Sequence, residues 1–126
     1  MSRPGIFEPA LRVAVYGSLK TGHYNHAYLK KAHFIGTFHT APEYTMIDLG
    51  AYPAIIADGK TQIEVEIYEV DPDTLTALDE LEEHPDCFMR TLIRIEDMEV
   101  FIYVLNPEQV RGMHHLSHRI IESGRW

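Results

Sequence analysis

Cysteine is nearly absent from this chain: Cys87 stands alone in 126 residues. One thiol cannot build an internal disulfide framework, and its solitude fits a reducing compartment. Basic residues are also scarce, 11 against 19 acidic ones, for a formal net charge of -8. That deficit argues against nucleic acid or an anionic membrane as the main partner. No apolar run approaches the roughly 20 residues that a membrane-spanning helix needs. The start, Met1 to Pro9, is interrupted by two prolines and a glycine and does not read as a secretory leader. These deficits predict a soluble, cytoplasmic protein.

What is present is enough for one core. Apolar residues make up 45% of the chain, as in folded domains. Residues 1–10 read as a flexible N-terminal arm and residues 11–126 as a single domain. Arg12 to Tyr16 is short, apolar and β-branched, so it reads as a buried strand ending at Gly17. Asn25 is placed to cap a helix running to about Ala32. Phe34–Thr40, Tyr44–Leu49 and Ala54–Ala57 read as strands, the last before a turn at Asp58-Gly59-Lys60. Ile63 to Val70 alternates with period two, a strand with one face buried for most of its length. Thr91–Glu96 and Val100–Leu105 alternate around a turn near Asp97-Met98 and predict a hairpin. Ser117–Glu122 is a weaker helical stretch. Strands in succession favour antiparallel pairing. The expectation is an α+β domain, a curved, mainly antiparallel sheet approaching a small barrel, with flanking short helices.

A carboxylate interrupts the apolar stripe of one predicted helix. Asp71 is a suitable N-cap with Pro72 at the first helical position, and Pro85 ends the helix near His84. Leu75, Leu78 and Glu82 follow the i, i+3, i+7 spacing and share a face. A carboxylate pressed against a core loses hydration, so its pKa rises, and the helix C-terminus adds to the effect. A raised carboxylate pKa suits proton transfer near neutrality. Geometry alone leaves a second reading, a helix-end carboxylate that reaches solvent or pairs with Arg90.

The stretch Gly17-Ser18-Leu19-Lys20-Thr21-Gly22 is a loop between two glycines after a buried strand. It lacks the lysine and Ser/Thr of a phosphate-binding loop, since His23 and Tyr24 follow. A tight turn or a cradle of backbone donors for a small anion or oxyanion remain. Ser18 lacks the second glycine of a nucleophile elbow. Cys87 with His84 nearby is a weak thiol pair. His114 and His118, with His115 between them, lie one helical turn apart but want a third metal ligand. The acidic pairs Glu64 with Glu66 and Asp79 with Glu80 read as solvated surface.

Several stretches together resemble the γ-glutamyl cyclotransferase-like proteins, in particular the γ-glutamylamine cyclotransferase branch. They are Val15 to Lys20 followed by Gly22, Asn25, His26 and Leu29; Gly50-Ala51-Tyr52-Pro53; Val65 to Val70 running into Leu78 to Glu82; Pro85 with Phe88, Arg90 and Thr91; Phe101 to Val104; and Gly124-Arg125-Trp126 at the end. The resemblance places the catalytic glutamate at Glu82 and the loop holding the γ-glutamyl group at Tyr16, Gly17, Ser18 and Leu19. It implies cyclisation of that group to 5-oxoproline with release of an amine or amino acid, and no metal or cofactor. Tyr52, Phe88 and Tyr103 join Tyr16 as expected pocket walls. The expected partner is a small γ-glutamyl molecule, with neither nucleic acid nor membrane, and a monomer is favoured. The chain departs from the family pattern at Glu83, where glycine is frequent, at Phe88, where tyrosine is, and at Ala54, where glycine is. Those departures keep open a non-catalytic binding or interaction module on the same fold. A hydrolase using Cys87 is a weaker option.

Overall fold

The computed structural model describes residues 11–111 and 119–126. The arm read at residues 1–10 and the histidines His114, His115 and His118 lie outside the described residues. Seven strands and two helices follow one another: β1 (Leu11–Val15), β2 (His33–His39), β3 (Tyr44–Asp48), β4 (Pro53–Thr61), β5 (Glu64–Val70), α1 (Pro72–Leu81), β6 (Phe88–Ile95), β7 (Met98–Leu105) and α2 (Pro107–Val110). Five strands form one sheet in the order β2-β5-β1-β7-β6, and β3 pairs with β4 in a separate ribbon. Every pairing is antiparallel except β1 with β7, which is parallel. The edges β2 and β6 do not pair with each other. The sheet therefore curves without closing into a barrel.

Both faces of the sheet are buried at its centre. Val13 and Val15 of β1, Tyr68 and Val70 of β5, and Tyr103 and Leu105 of β7 join Leu75 and Leu78 of α1 in one core. The alternate residues, Ala14, Val65, Ile67, Ile102 and Val104, join Met46 and Ile55 of the ribbon in the other. Period-two alternation thus feeds two cores. This explains why Tyr68 and Val70, on the more polar side of the β5 pattern, are buried as well.

Three sequence expectations change. Asn25 makes no side-chain cap, and only a 3-10 turn, His26–Leu29, forms where a helix to Ala32 was expected. The short strand read at Ala54–Ala57 runs on to Thr61 as β4, but the ladder jumps from Thr45↔Ile56 to Tyr44↔Thr61. Asp58-Gly59-Lys60 therefore sits in a bulge within β4 rather than in a turn that ends the strand. A Cβ on Gly59 would meet Thr45 Oγ1 at 2.2 Å, so the bulge needs glycine. Ile120 bridges Ile47 in an antiparallel contact, and the Ile121 amide donates to the Met46 carbonyl at 2.8 Å. Of the helical stretch read at Ser117–Glu122, Ile120 and Ile121 instead extend the ribbon, while Ser117 and His118 lie outside the described residues.

The chain end closes on the sheet. Glu64 N donates to the Gly124 carbonyl at 2.9 Å, and Gly124 adopts φ 68°. A Cβ there would lie 1.9 Å from the Gln62 carbonyl oxygen. Gly124→Ala combines a left-handed backbone with a backbone clash. It should lower stability by about 3 kcal/mol, measured from the midpoint of chemical unfolding.

Candidate active site

Glu82 is the C-cap of α1, with φ -85° and ψ -1°. Pro72 and the Asp71 carboxylate, which accepts from Thr74 N at 2.7 Å, start the helix. Its other end is a Schellman motif: His84 N donates to the Asp79 carbonyl at 2.9 Å and Glu83 N to the Glu80 carbonyl at 3.2 Å. That motif needs a left-handed residue just past the cap, and Glu83 supplies it at φ 53°. Glycine would meet this backbone demand without strain, and this chain tolerates the cost of a side chain there. Removing it should help. Glu83→Gly relieves the left-handed penalty of about 1–2 kcal/mol and gives part back through unfolded-state entropy. The net gain should be about 0.5–1 kcal/mol by chemical denaturation.

A pocket of about 270 Å³ opens beside this helix end. Glu82, Tyr16, Gly17, Ser18, Leu19, Tyr52, Phe88 and Tyr103, all the site residues read from the sequence, line it together. Tyr24, Asn25 and Pro53 line it too. The sequence named Asn25 only as a cap and as part of the resemblance, and nothing in it marked Tyr24, because both sit in a turn-rich loop whose path is set by tertiary contacts. Asn25 Nδ2 donates to Ser18 Oγ at 2.9 Å and Asn25 N to the Ser18 carbonyl at 2.8 Å. Ser18 is thus held by an amide rather than activated by an imidazole.

Two separate motifs meet at Gly17. A Cβ there would fall 2.8 Å from Pro53 Cδ, so the close approach of the Tyr52-Pro53 segment to the loop requires glycine. Lys20 N donates to the Gly17 carbonyl at 2.9 Å and closes a turn. Among the described residues the Ser18 and Leu19 amides have no protein acceptor, and both residues line the pocket.

Burial raises the Glu82 carboxyl from its ordinary value to about 7. It is half-buried and lines the pocket. Among the described residues no ion pair or side-chain hydrogen bond reaches it. Arg90, the alternative partner read from the sequence, is taken by Asp79: Arg90 Nη1 lies 2.5 Å from Asp79 Oδ2. The other Asp79 oxygen accepts from the Tyr103 hydroxyl at 2.6 Å. Tyr16 in turn donates to the Tyr103 carbonyl at 2.6 Å. Asp79 is therefore a buried-side anchor and not solvated surface, because the β7 tyrosine and β6 arginine converge on it. Burial, then the bond to Asp79, pushes the Tyr103 hydroxyl far above its ordinary value, and burial, then the Glu82 charge, does the same to Tyr16. Both stay protonated. Cys87 is half-buried in the same pocket, and burial, then the Glu83 and Glu82 charges, raises its thiol. That is the wrong direction for a thiolate nucleophile.

Glu64 and Glu66 also differ from the sequence reading. Glu64 pairs with Lys20 at 3.2 Å and Arg125 at 3.4 Å. Glu66 accepts from Thr21 N at 2.8 Å. The solvated pair is instead the underside of the glycine loop. The period-two pattern placed both carboxylates on one side correctly, but no local signal told that a loop 44 to 45 residues earlier would cover them.

On an open curved sheet, the glycine loop and a half-buried helix-end carboxylate, without an ion pair among the described residues, line one pocket. The family model described as gamma-glutamyl cyclotransferase, AIG2-like, matches residues 13–126. A Vibrio cholerae protein provisionally named as a gamma-glutamylcyclotransferase is 39% identical over 114 residues, 90% of this chain and 93% of that one. The solution structure of the protein ytfP from Escherichia coli superposes with TM-score 0.69 at 33% identity, covering 92% of this chain and 96% of that one. The crystal structure of an uncharacterized protein from Pyrococcus horikoshii superposes with TM-score 0.75 at 27% identity, covering 92% and 89%. The chain belongs to the γ-glutamyl cyclotransferase, AIG2-like family. Among the described residues no helix is long and apolar enough to cross a membrane.

The raised Glu82 carboxyl has a stability consequence that needs no substrate. An unfolded glutamate titrates near 4.5, and the folded one near 7. Between those values the folded state holds the proton more tightly, so stability falls as pH rises through this window. Glu82→Gln removes the titration. At pH 8 the variant should be more stable than wild type by about 2 kcal/mol, with the difference vanishing below pH 4.5. Unfolding midpoints at pH 4 and pH 8 measure it.

Proposed function

We propose that the protein is a γ-glutamyl cyclotransferase that releases 5-oxoproline and a free amine or amino acid from a γ-glutamyl amine or amide. The observation that carries this reading is the half-buried Glu82 carboxylate, at about 7, without a counter-ion among the described residues, in one pocket with Ser18 and Leu19 of the loop. The substrate's α-nitrogen attacks its own γ-carbonyl carbon, and a five-membered lactam closes. Between ammonium and lactam that nitrogen sheds two protons. Between amide and ammonium the leaving nitrogen gains two. Glu82 carries them in turn, since each delivery returns it to the carboxylate. A group whose pKa lies near the working pH both accepts and donates readily.

The tetrahedral intermediate places negative charge on the former carbonyl oxygen. The Ser18 and Leu19 amides are the donors proposed to meet it, and such a donor typically contributes about 10²–10³ in turnover. Tyr16, Tyr52, Phe88 and Tyr103 form the walls that fold amine against carbonyl, which supplies the proximity term. Tyr16 and Tyr103 act as walls and not as acids, because their hydroxyl protons are committed to the Tyr103 carbonyl and to Asp79. No covalent enzyme intermediate is needed, in keeping with the raised Cys87 thiol. The protein is read as cytoplasmic and as acting on a small molecule alone.

The test is a panel of γ-glutamyl amines, γ-glutamyl-lysine among them, with 5-oxoproline as the readout. Wild type should form it, and kcat/KM should rise with pH through an apparent pKa near 7. Glu82→Gln should lower kcat by about 10³ or more while the protein stays folded. A folded Glu82→Gln variant with full turnover overturns the assignment of the base. A wild type that returns every substrate unchanged overturns the reaction.

A further inference from the structure

We propose that Glu66 on β5 is a positioning residue that sets the direction of the Ser18 and Leu19 amides; its catalytic consequence rests on the cyclotransferase reading. Val15, the last residue of β1, faces Glu66 across the β1–β5 ladder. The chain then leaves the sheet, turns, and comes back to the same residue. Thr21 N donates to Glu66 Oε1 at 2.8 Å and Thr21 Oγ1 lies 3.0 Å from it. One residue of β5 therefore meets both ends of the segment 15–21, through its backbone at Val15 and through its carboxylate at Thr21. The Tyr68 hydroxyl donates to the same oxygen at 2.9 Å. Three donors on one oxygen call for a full negative charge, which strengthens each bond. Burial pushes the Glu66 carboxyl up, and the bonds from Thr21 and Tyr68 outweigh it and hold it below the ordinary range.

The tether transmits direction because the loop has little freedom left. Lys20, the neighbour of Thr21, is 8% exposed, and its ammonium sits 3.2 Å from Glu64, two residues along β5. At the other end Gly17 lies two residues past β1, its carbonyl engaged by Lys20 N at 2.9 Å and its Cα packed too close to Pro53 to carry a side chain. Ser18 and Leu19 are all that remain between the two fixed ends. Their amides belong to the peptide units whose carbonyls are those of Gly17 and Ser18. Both carbonyls are engaged, the first by Lys20 N at 2.9 Å and the second by Asn25 N at 2.8 Å. In a planar trans peptide the N–H points opposite to the C=O. Fixing those carbonyls aims both amides the other way, without a protein acceptor. Lys20 belongs to the turn that Glu66 and Glu64 pin, so releasing Thr21 loosens the Lys20–Gly17 bond and lets the amide directions drift. Misaligned donors lose transition-state stabilisation more than ground-state binding.

Glu66→Ala, studied where thermal melting shows it folded, should lower kcat about 10- to 100-fold with KM within about threefold. Glu66→Gln keeps an acceptor oxygen for Thr21 and should recover activity to within about fivefold of wild type. A merely structural carboxylate would change melting and leave kcat of the folded enzyme alone. Amide hydrogen exchange supplies a readout free of catalysis: the Thr21 amide should exchange about tenfold faster in Glu66→Ala, with Ile102 in β7 unchanged. A folded Glu66→Ala enzyme with kcat within about twofold of wild type overturns the proposal, and so does a Thr21 amide as protected as before. If wild type forms no 5-oxoproline, the cyclotransferase reading falls, and the exchange result alone decides whether Glu66 holds the loop.

Discussion

A carboxylate partly withdrawn from water and, among the described residues, left without a cation is the constraint around which this site is built. Burial of a charge is expensive unless it is paired or neutralised. At Glu82 the protein does neither fully: it raises the carboxyl to about 7, so that the group is poised between both forms. Two devices keep it there. The Schellman motif fixes the end of α1, so the side chain cannot unwind toward solvent. The Asp79–Arg90 pair occupies the guanidinium that β6 brings to the end of α1. Had Arg90 faced Glu82, the charged form would be favoured and the carboxyl would fall toward the ordinary range.

The same Asp79 also organises the wall of the pocket. Tyr103 reaches it from β7, and Tyr16 at the end of β1 reaches the Tyr103 backbone. These two strands are the parallel pair of the sheet, with Ala14 beside Ile102. Both therefore deliver their C-terminal ends to one side, beside the C-terminus of α1. The location of the pocket follows from that shared direction. Phe88 at the start of the antiparallel β6 is brought to the same end, opposite Leu105.

The opposite wall is a loop whose shape is dictated from underneath and from the side. Glycine at position 17 permits the approach of Pro53, and Glu64 and Glu66 fasten Lys20 and Thr21. The chain terminus joins this arrangement, since Arg125 shares Glu64 with Lys20. Two stretches far apart in sequence, the loop and the segment at Arg125, thus converge on two same-face positions of β5. Neither of them is informative alone.

The sequence by itself determined which residues alternate, where helix α1 starts, and that Glu82 shares a face with Leu75 and Leu78. Those features are local: period two, period 3.6, a capping aspartate and a proline act within a few residues of themselves. It also marked the glycine loop, because glycine and turn composition are visible without a partner. Only the tertiary structure decided that Asp79 would claim Arg90, that Glu64 and Glu66 would lie under a loop and not in solvent, and that β4 would continue through a bulge at Asp58-Gly59-Lys60. It also decided that β1 and β7 run parallel and gather the pocket at one end. Each of these depends on which groups meet across long separations, and a charge or a hydroxyl carries no sign of its eventual partner until the chain brings the two within bonding distance.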